Sequence, residues 1–354
     1  GGGNLENKQI TKYDMCNGSI MDKLISFSLP LMLSGILQLM FNAVDIIVVG
    51  QFAGSESLAA VGSTTALIAV FTNLFIGVSL GANVLAARFY ASGKHKEMSE
   101  TVHTAITLAL VSGIIMAFVG LIFSRLALEI MGTPDNVIAH STLYMRIYFL
   151  GMPFFMLYNY GAAILRAVGD TKRPLFYLII SGVANACLNM LLVIVFHMGV
   201  AGVAIGTVVS QCISCILVLR CLYRSEGSYQ LRFSKLTIKS FYLKQIFQVG
   251  IPAGIQSTVI NISNALLQSS VNSFGSIAMA GYTAANNIFG FLYVSVNAVT
   301  QSCMSFTSQN YGVRKTKRMD KSPDGLYHFA FAVSLPWDAA RISLAIKLLR
   351  LYTK

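Results

Sequence analysis

Of the fourteen acidic residues in this chain, Asp45 alone falls deep inside a long apolar run, Leu24–Val49. A carboxylate at such depth costs several kcal/mol unless it pairs, takes up a proton or meets water. Ser34, Gln38, Asn42 and Asp45 are spaced by four, four and three, so they share one face of a helix. A polar stripe of this kind faces a bundle interior or a water-filled cavity. Asp45 could bind Na⁺ directly or take up H⁺. Either event changes the charge of the cavity and can bias a conformational equilibrium. The plainer alternative is a carboxyl that only caps its neighbours.

A second polar face follows at Ser181, Asn185 and Asn189, again four apart. Amide oxygens are neutral ligands for Na⁺ and hydrogen-bond partners for a carboxyl; interhelical packing alone also uses such residues. Thr207 is a weaker ion-coupling candidate. Further along, Ser257, Asn261, Asn264 and Gln268 repeat the stripe, and Asn286 and Asn287 follow. Gln38, Asn42, Asn261, Asn264 and Asn286 are the expected lining of a substrate cavity. Leu267 stands where Asp45 would recur, so ion chemistry belongs to the first half. No cofactor is expected. GxxxxGK[ST] is absent, and His95, His103, His140, His197 and His328 do not pair at metal-ligand spacing. Cys212 and Cys215 form a CxxC inside an apolar stretch, without His or carboxylate beside it, and read as packing residues.

The elements that carry these residues follow from composition. The chain of 354 residues is 55% hydrophobic and 11% charged, with a mean hydropathy of +0.65; soluble domains carry about 25% charged residues. That excludes a soluble enzyme or nucleic-acid binder and leaves an all-α polytopic membrane protein. Eight spans are predicted: Leu24–Val49, Leu58–Ala87, Val102–Phe123, Thr142–Leu165, Leu175–Phe196, Val200–Leu222, Ile246–Val271 and Ile277–Phe306. Lys and Arg cluster after the even-numbered spans, which places those loops and the N-terminus in the cytoplasm. The same bias absorbs most of the net charge of +12. Gly77/Gly81, Gly202/Gly206 and Gly250/Gly254 form GxxxG pairs suited to close helix contact. Ser234–Gln245 mixes Lys with Phe and Tyr and is expected along the inner membrane surface.

An internal repeat sets the architecture. Pro30 matches Pro252, Asn42 matches Asn264 and Phe52 matches Phe274 at one offset. One residue is then lost, and Ala59 matches Ala280, Tyr90 matches Tyr311 and Lys96 matches Lys317. An even number of intervening spans gives two halves of equal orientation, as in transporters whose bundles rock against one another. The second copy ends roughly 90 residues early, and the likeness fades after Lys321. The tail 322–354 is therefore expected to be atypical, from a frameshift, a premature stop or a mis-joined fragment; an amphipathic tail over Ala340–Tyr352 is the alternative. The start at Gly1-Gly2-Gly3 lacks an initiator Met and reads as a fragment or processed end, with no cleavable signal peptide visible.

These residues resemble the multidrug and toxic compound extrusion (MATE) family. Pro30-Leu31-Met32-Leu33 followed by Val44-Asp45-Ile46-Ile47-Val48-Val49-Gly50 is similar to its first helix. Leu58-Ala59-Ala60-Val61-Gly62 is similar to its second-helix entry, and Leu165–Pro174 to its loop between helices four and five. Gly199–Thr207 resembles its sixth helix and Met279–Tyr282 its eighth. The resemblance implies two six-helix lobes exchanging H⁺ or Na⁺ for organic, often cationic, amphipathic compounds by alternating access. It places the family's helix-one aspartate on Asp45. In some members helix five carries Asn and Asp four apart; these positions fall on Asn185 and Asn189, and the second being Asn leaves Asp45 alone.

The expected organisation is a cytoplasmic lead (1–22), a complete first lobe (23–223), a connector (224–245), a partial second lobe (246–321) and the tail (322–354). The expected protein is a monomer in a prokaryotic-type plasma membrane, in contact with lipid and small organic substrates and not with nucleic acid. Two other readings stay open: a flippase for lipid-linked oligosaccharide, which would want a cationic cavity and has Arg146 in its favour, and a receptor or channel.

Overall fold

The computed structural model describes the backbone of residues 14–272 and 276–320; side chains at 55, 66, 265, 268–269, 271–272 and 276–288 are left out of the description. The tail 322–354 and most of the lead thus lie outside the described residues; among the described residues there is no strand. The helices are α1 (Ile20–Phe52), α2 (Ser55–Ala91), α3 (His95–Ile130), α4 (Asp135–Leu150), α5 (Met152–Ala167), α6 (Lys172–Met190), α7 (Gly199–Arg224), α8 (Ser240–Asn272) and α9 (Ser276–Gly312). Among the described residues, five of these helices are long and apolar enough to cross a membrane, and α4 with α5 makes a sixth span if the bent pair is one.

Local chemistry sets the ends. Ser19 accepts the Asp22 backbone N–H at 3.4 Å and caps α1. Asp170 is buried and takes the backbone N–H groups of Lys172 and Arg173 at 3.2 and 3.1 Å, which starts α6; its other oxygen pairs with Arg173 Nε at 3.1 Å. The expected span Thr142–Leu165 is in fact two helices meeting at 47°. Pro153 lacks an N–H and crowds the preceding turn, so the helix cannot run through Gly151. The bend is accommodated by α3, where a Cβ on Gly113 would lie 2.5 Å from the Pro153 Cα. Helix α6 passes into a π turn, Leu191–Val195, closed by Phe196 N–H on the Leu191 carbonyl at 3.1 Å.

Burial of leucine against leucine gains little when lipid is the alternative, so close approach and polar bonds must hold such a bundle together. The core is drawn from α2 to α5 and α7, with Met98, Met145, Phe149, Met152, Tyr160, Ile164 and Leu222 almost wholly enclosed. Ile122, Ile130, Val195 and Leu266 point outward, as a lipid-facing surface requires.

The two halves meet through small residues and through hydrogen bonds. Helices α1 and α8 each have 33 residues with a proline inside, and α2 and α9 each have 37, which matches the sequence repeat. Helix α8 packs on α2, and α9 on α1 and α2. Gly77 and Gly81 of α2 face Gly250 and Gly254 of α8 so closely that any Cβ would strike backbone; one on Gly250 would lie 2.5 Å from the Val78 Cα.

Toward the end carrying the basic loops, α9 is fastened to the first half. Ser302 Oγ donates to the Leu24 carbonyl (3.2 Å) and Ser305 Oγ to Asn83 Oδ1 (3.0 Å). Asn83 Nδ2 donates to the Ala163 carbonyl, and Gln309 Nε2 to the Ala167 carbonyl, each at 2.8 Å. All four of these side chains are buried. The strap Asp14–Gly18 is laid over this joint. Met15 N–H donates to Gln309 Oε1 (3.2 Å), while Lys315 Nζ and Arg318 Nη1 donate to the Cys16 and Gly18 carbonyls at 2.9 and 2.8 Å.

The connector is pinned to α3. Buried His103 accepts Arg232 N–H on Nε2 at 3.1 Å and its Nδ1 lies 2.6 Å from the Ser99 carbonyl, while Lys239 reaches Glu100 at 3.5 Å. Helix α8 begins at Ser240, earlier than the apolar run at Ile246, because Tyr242 is buried edge-on against Phe89 and extends the helix into the connector.

Candidate functional site

Helices α1, α6 and α7 bring the expected ion-coupling residues together. Asn189, two residues before the π segment, is completely buried and donates from Nδ2 to Asp45 Oδ1 at 2.5 Å and to Asn185 Oδ1 at 2.7 Å. Asn185 Nδ2 reaches Ser210 Oγ at 3.4 Å, and Ser210 donates to the Thr207 carbonyl at 2.7 Å. A hydrogen-bonded chain therefore joins the carboxyl on α1 through α6 to α7, with donation running outward from Asn189 in both directions. Its polarity presents an N–H, not an amide oxygen, to Asp45. Asn189 Oδ1 has no partner, an arrangement that costs about 1–3 kcal/mol when an acceptor is sealed from water.

A cavity of 310 Å³ opens beside this chain. Gln38, Asn42 and Asp45 of α1 line it together with Ser181, Asn185 and Thr207. Thr207 Oγ1 is spent on the Val203 carbonyl at 3.0 Å, so its hydroxyl hydrogen is committed to its own helix. Among the described residues that line it, none is Lys or Arg.

The candidates of the second half lie elsewhere. Asn261 donates to the Ser257 carbonyl of its own helix at 2.8 Å, and Asn264 is exposed. Neither lines the cavity of the first half. The Asn286 side chain lies outside the described residues. Arg146 is exposed and away from the cavity. Among the described residues no group of three or more His, Cys, Asp or Glu converges to hold a metal. The CxxC cysteines are free thiols.

The structure adds an aromatic wall. Phe41, Tyr144, Tyr148, Phe155 and Tyr158 line the cavity, with Asn159 and Gln211 between them. Tyr144 and Tyr148 are four apart, and Thr207, Gln211 and Ser214 continue one face of α7. That i, i+4 recurrence is the signal that could have found them; in an apolar span, aromatics read as packing.

Similarity to known proteins accords with this fold. Among solved structures, an outward-facing multidrug resistance MATE family transporter of the MOP superfamily superposes at a TM-score of 0.88, with 22% identity, over 96% of this chain and 76% of that one. A MOP superfamily transporter from Pyrococcus furiosus, whose binding pocket is described as of reverse polarity, superposes at 0.87 with 22% identity, over 96% of this chain and 76% of that one. The architecture is thus the all-helical MATE transporter fold. The MatE family profile matches residues 30–191 and 252–354, and the chain belongs to that family. The second match extends through the stretch after Lys321.

Among curated relatives, the probable multidrug resistance protein YoeA of Bacillus subtilis is 31% identical over 312 residues, 85% of this chain and 66% of that protein. The multidrug export protein MepA of Staphylococcus haemolyticus is 24% identical, over 89% of this chain and 70% of that protein. The chain thus spans about two-thirds of the length of the curated relatives it matches.

Proposed function

We propose that this chain is the substrate- and ion-binding part of a secondary-active exporter that exchanges H⁺ for small organic, cationic amphipathic compounds by alternating access. The observation that carries the reading is the meeting of Asp45, the one carboxylate among the described lining residues, with aromatic rings and amides in that cavity. A carboxylate there attracts either a proton or an organic cation, and the rings favour a delocalised cation over their faces. Competition for a single charge is sufficient to couple the two: substrate binds the ionised form, and protonation releases it. Na⁺ would need several oxygens beside Asp45, and Asn189 turns its N–H there instead; a proton needs only the carboxyl oxygen itself. That none of the described lining residues is Lys or Arg weighs against an anionic lipid-linked cargo.

The setting is a plasma membrane with the basic loops and N-terminus cytoplasmic, following the charge bias, and the protein acts as a monomer. The test is efflux of a cationic dye from proteoliposomes under an imposed pH gradient. Wild-type chain should expel dye only with the gradient, and Asp45→Asn should not while inserting normally. Gradient-driven efflux by Asp45→Asn at the wild-type rate refutes the assignment.

A further inference from the structure

Two glycines on the helices that face Asp45 are occupied by side chains of their neighbours. A Cβ on Gly206 of α7 would fall on Asn189 Oδ1, with the amide carbon 3.2 Å away. A Cβ on Gly182 of α6 would fall inside the Phe41 ring. Phe41 lies one turn before Asp45 on α1, and Asn189 is the residue that bonds Asp45. The notch at Gly206 thus lets the Asn189 amide lie flat against α7 while its N–H reaches across to α1. The notch at Gly182 lets α1 approach α6 closely enough to be reached.

From this geometry we infer that Gly182 and Gly206 are positioning residues for ion coupling: side-chain-free notches that set the Asp45–Asn189 contact. The inference rests on the proposed function and goes beyond it. The sequence offers a simpler account, in which Gly202 and Gly206 form an ordinary helix-packing pair. The structure separates the two. A Cβ on Gly202 meets Leu192 and Met198 at 3.1–3.2 Å, none of them at the ion site. A Cβ on Gly206 meets the amide that bonds the carboxyl.

The test exploits the direction of the expected change. Alanine is the better helix former, so a glycine that matters only for helix stability should tolerate it. Gly62→Ala serves as control, since nothing lies within 4 Å of a Cβ there. Gradient-driven dye efflux and thermal unfolding are measured in the full chain for Gly206→Ala, Asn189→Ala and the double variant, and for Gly182→Ala with and without Phe41→Leu.

Gly206→Ala should lose efflux at least tenfold with the unfolding midpoint of Gly62→Ala retained. The double variant should be no worse than Asn189→Ala, because both act through one amide. Phe41→Leu, by shrinking the ring, should restore part of the efflux lost in Gly182→Ala. Wild-type efflux in Gly206→Ala, or multiplicative losses in the double variant, overturns the inference. If Asp45→Asn also exports normally, the proposed function itself has failed; if Asp45→Asn is dead and Gly206→Ala active, only the positioning role has.

Discussion

Gln309→Leu isolates the joint between the halves. The two side chains have similar volume, so the substitution leaves little void and chiefly deletes hydrogen bonds. Gln309 is 1% exposed, and its amide serves the Ala167 carbonyl and the Met15 N–H. Leucine leaves both groups unpartnered in a place water does not reach, at about 1–3 kcal/mol each. Opening the joint hydrates them. Taking the low end of that range for both, the closed arrangement loses roughly 2 kcal/mol, a shift of roughly 30-fold toward the open one at about 1.4 kcal/mol per tenfold.

Cys16, within the strap and 7% exposed, is the reporter. Burial, with help from Asp14, pushes its thiol up to about 11, against the opposing charges of Lys315 and Arg318. The reactive thiolate is therefore scarce at neutral pH in the closed protein and grows only as pH climbs toward that value. Once the strap lifts, the thiol returns to its ordinary range and reacts near pH 8. Labelling by an impermeant maleimide, read on the Cys16 peptide, should accelerate at least tenfold in Gln309→Leu at pH 7.5. A rate within twofold of wild type refutes the idea that this lattice holds the halves together.

Other perturbations follow from the same bonds. Gly81→Val should unseat α8, since its side chain would meet the Ile246 carbonyl and Gly250 backbone nitrogen, which cannot rotate away; a loss of about 1–3 kcal/mol should appear as a lower unfolding midpoint in detergent. His103→Ala removes the acceptor for Arg232 N–H and should cost about 1–3 kcal/mol, read as faster tryptic cleavage in the connector at Arg232 and Lys235. Asp170→Ala deletes the acceptor of two α6 N–H groups and the partner of Arg173; a loss of about 1–2 kcal/mol should show as earlier exchange of the Lys172 and Arg173 amides.

Much of the site was legible because polar residues in an apolar run are costly and therefore informative. Asp45, Asn185 and Asn189 announced themselves by depth and by i, i+4 spacing, and the structure joins them through hydrogen bonds. The glycine pairs pointed to close contact, and Gly77/Gly81 does meet Gly250/Gly254. Spacing could not say which face turns toward which neighbour, so Asn261 and Asn264, on the same pattern, lie away from the cavity. The aromatic wall was hidden because Tyr144 and Tyr158 do not depart from the hydrophobic background. The break at Gly151 was missed because a Pro inside an apolar span is common among membrane helices. The strap and the buried lattice on α9 depend on contacts between residues nearly 300 positions apart, which no local pattern encodes.

The most direct test of proton–substrate competition at Asp45 is calorimetric. Binding of a cationic dye to the detergent-solubilised chain is measured in buffers of different ionisation enthalpy, which counts protons released. The wild-type chain should release protons on binding near the pH where the carboxyl titrates, and Asp45→Asn should release none. Equal proton release from both proteins would contradict the account.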